Sequence, residues 1–315
     1  MPAAVIQAAA FTDETAAREA MEALLWPEGP VCPHCGSLEK LGKVEGKSAR
    51  PGLYYCGECK KQFTVTVGTI FERSKVPLSK WWMAIHFMAA SKKGMSAHQL
   101  GRMIGVAYPT AWFMEHRIRE AMRSDDPSPM GGEGQAVEVD ETFIGRKEGV
   151  EKARGGWGHK NAVLTLVERG GSARSFHVDS ATVKEIAPIV RANLARESTL
   201  MTDEASQYTK LGREFAGHWT VEHGRDEYGY TDRVTGFKAN TNSVEGYYSI
   251  FKRGMKGVYQ HCGEKHLHRY LAEFDFRYTN RTKRGVDDSM RAAKIVEGAK
   301  GKRLMYRRPD ESALA

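Results

Sequence analysis

Ala-Val-Glu-Val-Asp-Glu-Thr-Phe-Ile-Gly, residues 136–145, sets Val137 and Val139 against Glu138 and Asp140 in strict alternation and stops on a glycine, the pattern of a strand with one polar and one apolar face. Two more runs rich in apolar and β-branched residues follow, AVLTLVER at 162–169 and SARSFHVD at 172–179. A helical period in TVKEIAPIVRANLARE (182–197) then leads to a short strand, TLMTDE (199–204). HWTVEH (218–223) supplies a fifth strand, and helices are expected from about 242 to 255 and 264 to 281. Strands interleaved with helices in this order make an α/β domain, a mixed sheet flanked by helices.

Three adjacent strands followed by helix, strand, strand and helix is the order of the ribonuclease H-like fold, and it assigns that domain to 135–285. Upstream, SDDPSPMGGEG is polar and rich in Pro and Gly, so 124–134 reads as a linker. Residues 75–123 hold three helical segments, PLSKWWMAIHFMAASKKG, SAHQLGRMIG and YPTAWFMEHRIREAMR. Ser79 and Ser96 can cap helix starts, and Gly94 and Gly105 stand where helices stop, so the region is helix-turn-helix-like. Trp81, Trp82 and Trp112 fall at core spacing within it. Residues 1–27 form an N-terminal helical segment and 28–74 a ribbon of short strands. The last stretch, 286–315, reads as a basic tail.

Within the ribbon, Cys32-Pro-His-Cys35 and Cys56-Gly-Glu-Cys59 form two CxxC pairs twenty residues apart. Each pair sits on a tight turn that aims two thiolates at one point. Four thiolates complete the closed tetrahedral shell of one structural Zn²⁺ and leave no open position for catalysis. His34, inside the first turn, is read as a bystander. Lys40, Lys43, Lys47, Arg50, Lys60 and Lys61 surround the knuckles and tilt their use toward phosphate contact.

Asp140 and Asp203 each stand where an apolar strand turns polar. A carboxylate at the end of a buried strand needs a charge partner, and a cation supplies one. With a third acid from a helix, the two could hold a pair of Mg²⁺ or Mn²⁺ ions, the arrangement for in-line phosphoryl displacement. Asn240-Thr-Asn-Ser-Val-Glu-Gly-Tyr-Tyr-Ser-Ile-Phe-Lys-Arg-Gly offers Glu245 as that acid. Lys252 lies two turns further on the same face, and Asn242 one turn earlier near the same stripe. Alternation puts Glu141 on the opposite face from Asp140 and leaves Glu138 on the same face as a possible auxiliary.

Forty-seven Lys and Arg against thirty-nine Asp and Glu give a formal charge of +8, which favours polyanionic partners, nucleic acid first. Lys252, Arg253, Lys256, Arg277 and Arg281 cluster beyond the acidic helix and would line a channel for double-stranded DNA. No basic export signal and no long apolar span occur, so a cytoplasmic, nucleoid-associated protein with no membrane partner is expected.

These motifs together resemble the bacterial insertion-sequence transposases of the ISXO-like group. The resemblance runs through CPHCGS, YYCGECKKQFTVTVGTIFERS, PLSKWW, VEVDETFIGRK, GWGHKNAVLTLVER, TDEASQY and NTNSVEGYYSIFKRGMKGVYQHCGEKHLHRYLAEFDFRYTNR, nearly the whole chain. It implies an acid-triad (DDE-type) transposase that frees a 3′ hydroxyl at each transposon end and directs it at target DNA, with Asp140 and Asp203 as the family's two aspartates. That group often writes Asn before the Lys in place of the last acid, so Asn242 competes with Glu245; a carboxylate binds a divalent cation more firmly than an amide, which favours Glu245. Synapsis of two ends implies a homodimer. A non-catalytic zinc-ribbon regulator and a nuclease that hydrolyses without joining stand as alternatives.

Overall fold

A computed structural model describes residues 8–152, 154–203, 208–221, 230–231 and 238–305. The chain divides into two compact units. One comprises 1–91, 95–123 and 286–315, the other 92–94 and 124–285.

In the first unit, α1 (Glu14–Leu25) starts at Asp13, whose carboxylate accepts the Ala16 N–H, and buries Ala17, Met21 and Leu25. The ribbon follows as an antiparallel sheet of β1 (Leu41–Lys43), β2 (Tyr54–Cys56) and β3 (Gln62–Phe63). Strands this short cannot stabilise themselves. Their apolar support is Trp26, set edge-on to Tyr54 and Phe63 at 5.4 and 5.9 Å, beside the buried Cys32 and Cys56. Helices α2 (Leu78–Ala90), α3 (Ala97–Ile104) and α4 (Tyr108–Met122) complete the expected trio. Ser79 does not cap α2, whose cap position is Pro77 and which gives the N–H groups of Leu78 and Ser79 to the Glu14 carboxylate. Ser96 caps α3, and Gly105 closes it at φ 63°, a left-handed step that glycine takes without penalty. Trp81 and Trp82 are buried, the indole N–H of Trp82 donating to the Ala17 carbonyl. Most of α4 is buried too, including Glu115, His116, Arg117 and Arg119, so only its first turn, Tyr108 and Pro109, lies open.

The stretch expected as a basic tail departs from that reading. Asp287 caps α9 (Asp288–Glu297), which buries Ala292, Ile295 and Val296 in the first unit, and the buried Arg291 donates to the Ala89 carbonyl of α2. Charge density masked an apolar stripe at helical spacing.

The second unit is built on a five-stranded sheet in the order β6-β5-β4-β7-β8, from β4 (Ala136–Ile144), β5 (Asn161–Glu168), β6 (Ala173–Val178), β7 (Thr199–Asp203) and β8 (Gly217–Val221). β4, β5 and β6 pair antiparallel, whereas β7 and β8 join parallel to β4. This is the ribonuclease H-like arrangement. Val137, Val139, Leu164, Leu166 and Leu200 pack against α5 (Val183–Asn193) and the short turn α6 (Tyr208–Leu211). The opposite face, with Ile144, Val163 and Val167, is covered by α7 (Asn242–Gly254) and α8 (Leu267–Thr279).

Candidate functional site

The knuckles converge. The four cysteine sulfurs lie within 4.8 Å of one another, with 3.7 Å between Cys32 and Cys59 and between Cys35 and Cys56. Tetrahedral Zn²⁺ with bonds of about 2.3 Å sets its sulfurs about 3.8 Å apart, so the spacing fits this ion and is far too long for disulfides. Backbone geometry aims the thiols: Gly36 N–H returns to the Cys32 carbonyl, and Lys60 N–H to that of Cys56. Both closing residues are left-handed, Gly36 at φ 75° and Lys60 at φ 59°. Backbone N–H groups of Cys59 and Glu58 donate to the Cys56 sulfur and hold its thiol down at about 7, whereas burial pushes the Cys59 thiol up, so of these two Cys56 ionises first. His34 points its ring to the Gln62 carbonyl at 3.4 Å, outside the sulfur shell. All six basic residues around the knuckles are exposed.

In the second unit, parallel pairing of β4 and β7 sets Glu138 level with Met201, and Asp140 and Asp203 each stand two residues beyond that last pair. Alternation turns both aspartates to the face covered by α7. Burial is the main cause that raises the Asp140 carboxyl to about 6; the N–H of Glu141 donates to it and opposes the rise. The charges of Asp203 and Glu245 push the same way as burial, and Lys252 pulls back. Both acids and the lysine are thus within electrostatic reach of Asp140. Helix α7 is held there by Tyr248, whose hydroxyl donates to the backbone carbonyls of Asp140 and Val163 at 2.6 and 3.2 Å. Lys252 lies 5.7 Å over the ring of that tyrosine.

Glu245 is exposed on the first turn of α7 and accepts a hydrogen bond from Thr241. Asn242 is exposed at the helix start, its N–H reaching the Asn240 side chain. Among the described residues the four cysteines are the group of metal-ligating side chains that closes around one point. Oxygen donors on two neighbouring strands, Asp140 in the middle of β4 and Asp203 at the end of β7, suit a divalent cation, whose binding would relieve the burial and like charge that raise Asp140.

Other residues singled out from the sequence fall differently. Glu141 faces the α5 side, where it accepts from the buried Tyr208 hydroxyl. Glu204 lies outside the described residues. Arg253 and Lys256 are exposed, and Arg281 stacks on Tyr278 at 4.1 Å while donating to the Gly171 carbonyl. Arg277 offers DNA nothing: it is buried and paired with the buried Glu273 one turn back. The i,i+4 spacing of Glu273 and Arg277 is the sequence signal for that pair.

Residues 131–279 match the family model of the ISXO2-like transposase domain, and residues 12–62 match that of the transposase zinc-ribbon domain. A protein in transposable element ISH50 of Halobacterium salinarum is 26% identical over 286 residues, which is 85% of this chain and 91% of that protein. The two family matches cover more than half of the chain and coincide with the ribbon and the five-stranded sheet described above. The chain therefore belongs to the ISXO2-like transposases that carry an N-terminal zinc ribbon.

Proposed function

We propose that the protein is a DDE-type DNA transposase that cleaves at the ends of its own insertion sequence and joins the freed 3′ ends to target DNA. One observation carries this reading: Asp140, in the middle of the central strand β4, shares its electrostatic surroundings with Asp203, Glu245 and Lys252, which come from a parallel neighbour and a covering helix. Asp140, Asp203 and Glu245 are the residues that would hold Mg²⁺ or Mn²⁺. Bound there, the metal would supply Lewis-acid stabilisation of the attacking and leaving oxygens. Lys252 would hold a phosphate of the scissile strand beside the acids. Asp140, with its raised affinity for a proton, orients through the Glu141 N–H.

DNA would be bound by Arg253, Lys256 and Arg281 near the acids, and by the exposed lysines and arginine of the ribbon, mainly through phosphate charge and hence in a salt-sensitive way. Two ends brought together call for two protomers. Glu245 is preferred to Asn242 as the third ligand because its charge acts on Asp140 and because carboxylate oxygen is the better donor to a hard cation.

The test uses duplexes carrying the terminal sequences that flank this reading frame, with Mg²⁺. Asp140→Asn should keep DNA binding and lose strand cleavage by more than roughly a thousandfold. Cleavage surviving that substitution rejects the site. Products with strands joined to target support transposition; hydrolysed ends alone reject joining.

A further inference from the structure

Glu138 stands two residues before Asp140, on the same face of β4, and is fully buried. A carboxylate in that position must be compensated by hydrogen bonds and opposite charge. Three donors meet it. Arg169 Nε lies 2.8 Å from one oxygen, and the backbone N–H groups of Ser243 and Val244 lie 2.7 and 2.9 Å from the other. Those two amides belong to the first turn of α7, where helices have N–H groups without internal partners. A residue at the helix boundary ordinarily supplies the missing acceptor from its own side chain. Here Thr241 makes no such bond to the backbone and gives its hydroxyl to the Glu245 carboxylate instead. The cap is contributed by a residue 105 positions away in the chain. Arg169 extends the clamp, its Nη2 donating to the Asn240 carbonyl at 2.6 Å.

The segment 240–244 is therefore bound to the sheet by one ion pair, and the next residue is Glu245. We infer that Glu138 and Arg169 are a positioning pair for the acid centre: they fix the first turn of α7 so that Glu245 is held toward Asp140, and thereby set the affinity of the centre for a divalent cation. The pair touches neither the cation nor DNA. A negative charge on the axis of α7 also favours its exposed amides, which reinforces the geometry. This inference rests on the acid-centre reading given above, and the controls separate the two.

The experiment titrates full-length, zinc-loaded protein with Mn²⁺ and follows free Mn²⁺ by electron paramagnetic resonance. Hydrogen exchange at the Ser243 and Val244 amides is read in parallel without Mn²⁺. Glu138→Gln should weaken Mn²⁺ binding about tenfold or more, the usual effect of losing a group that orients a ligand, and should speed exchange at both amides. Arg169→Gln, at the more exposed end of the pair, should weaken Mn²⁺ binding in the same direction, with partial recovery in millimolar guanidinium; it serves where Glu138→Gln does not fold. A folded variant of either kind with wild-type Mn²⁺ affinity overturns the inference. Asp140→Asn is the control. If it abolishes Mn²⁺ binding while the pair's variants bind normally, only the positioning role fails. If it too binds normally, the acid-centre reading fails and the positioning role falls with it.

Discussion

The ribbon draws its four ligands from 28 consecutive residues, whereas Asp140, Asp203 and Glu245 come from two strands and a helix spread over more than a hundred. In the first case local turns do the aiming, and the sulfurs already stand at the separations of a filled shell. In the second, strand pairing and helix docking do the aiming, with β4 beside β7 and Tyr248 of α7 bonded to the Asp140 carbonyl. The difference is one of chain distance. A closed local centre is thus a folding element, and an open dispersed centre depends on the fold already being made.

The largest effect that could break this contrast is loss of zinc. Metal binding to such sites is worth on the order of 10 kcal/mol or more in isolated zinc modules, more than β1 to β3 can replace. Chelation should unfold residues 28–68, seen as lost hydrogen-exchange protection there and a melting transition lowered by tens of degrees, and leave the β4–β8 sheet protected. Removal of Mg²⁺ should change neither. A ribbon that keeps its protection after chelation would make zinc incidental and remove the contrast.

The same contrast explains what could be read from the chain beforehand. Two CxxC pairs carry their geometry in their spacing, so the ribbon was legible at once. Asp203 ends β7 as its sequence suggests, whereas β4 runs on from Asp140 to Ile144 because Phe143 and Ile144 have apolar partners to pack against; strand alternation separates Glu138 from Glu141. What Glu138 meets was not legible, because its partners Arg169, Ser243 and Val244 are brought to it by the order of strands and by the docking of α7. Basic clustering alone marks Arg277 as a DNA contact, whereas its i,i+4 partner Glu273 holds it inside the fold. The basic tail expected over 286–315 contains α9 instead, because its charge density hides the helical spacing of Ala292, Ile295 and Val296.

Next in size is the choice between Glu245 and Asn242. If the dispersed centre needs three carboxylates, Glu245→Gln should lower Mg²⁺-dependent cleavage at least about a hundredfold, whereas Asn242→Ala should change it by less than about fivefold. The reverse ranking would move the third ligand one turn earlier. Either result is read from single-turnover cleavage with DNA affinity measured alongside.

Behind the dispersed centre, its supporting layer contains a second buried carboxylate. Asp275 of α8 accepts from the Ser175 N–H at 2.8 Å and from the hydroxyls of Ser175 and Tyr247, each at 2.7 Å, tying α8 to β6 and α7. Burial nonetheless raises its carboxyl to about 6, above the 3.8 of an unperturbed aspartate. The folded state therefore binds this proton more tightly than the unfolded chain. Its contribution to stability is complete below about pH 4 and is lost as pH rises through about 6. Between pH 5 and 7 the loss should be about 1 kcal/mol. Urea unfolding of the wild type against Asp275→Asn should show that pH-dependent component in the former only. No difference in slope would mean that the carboxylate is ionised in the fold throughout, and that the layer behind the acid centre is held by charge-assisted bonds.

The smallest effect compares the two knuckles with each other. Gly36 and Lys60 close equivalent turns in the same left-handed conformation, yet only the first is glycine. A side chain in that conformation costs about 1 kcal/mol or more, and glycine returns part of that through its freer unfolded chain. Lys60→Gly should thus leave the zinc-loaded melting point unchanged or raise it slightly. Lys60 is exposed, so the fold itself gains nothing from its ammonium group. A strained lysine at a turn that glycine would close more easily makes sense where the charge is used outside the fold, on a phosphate. The substitution should therefore weaken binding to duplex DNA uniformly across sequences and reduce the slope of log affinity against log salt by about one. An unchanged salt slope would deny Lys60 a phosphate and leave its strain without a function, and it would reduce the ribbon's share in DNA binding to its remaining basic residues.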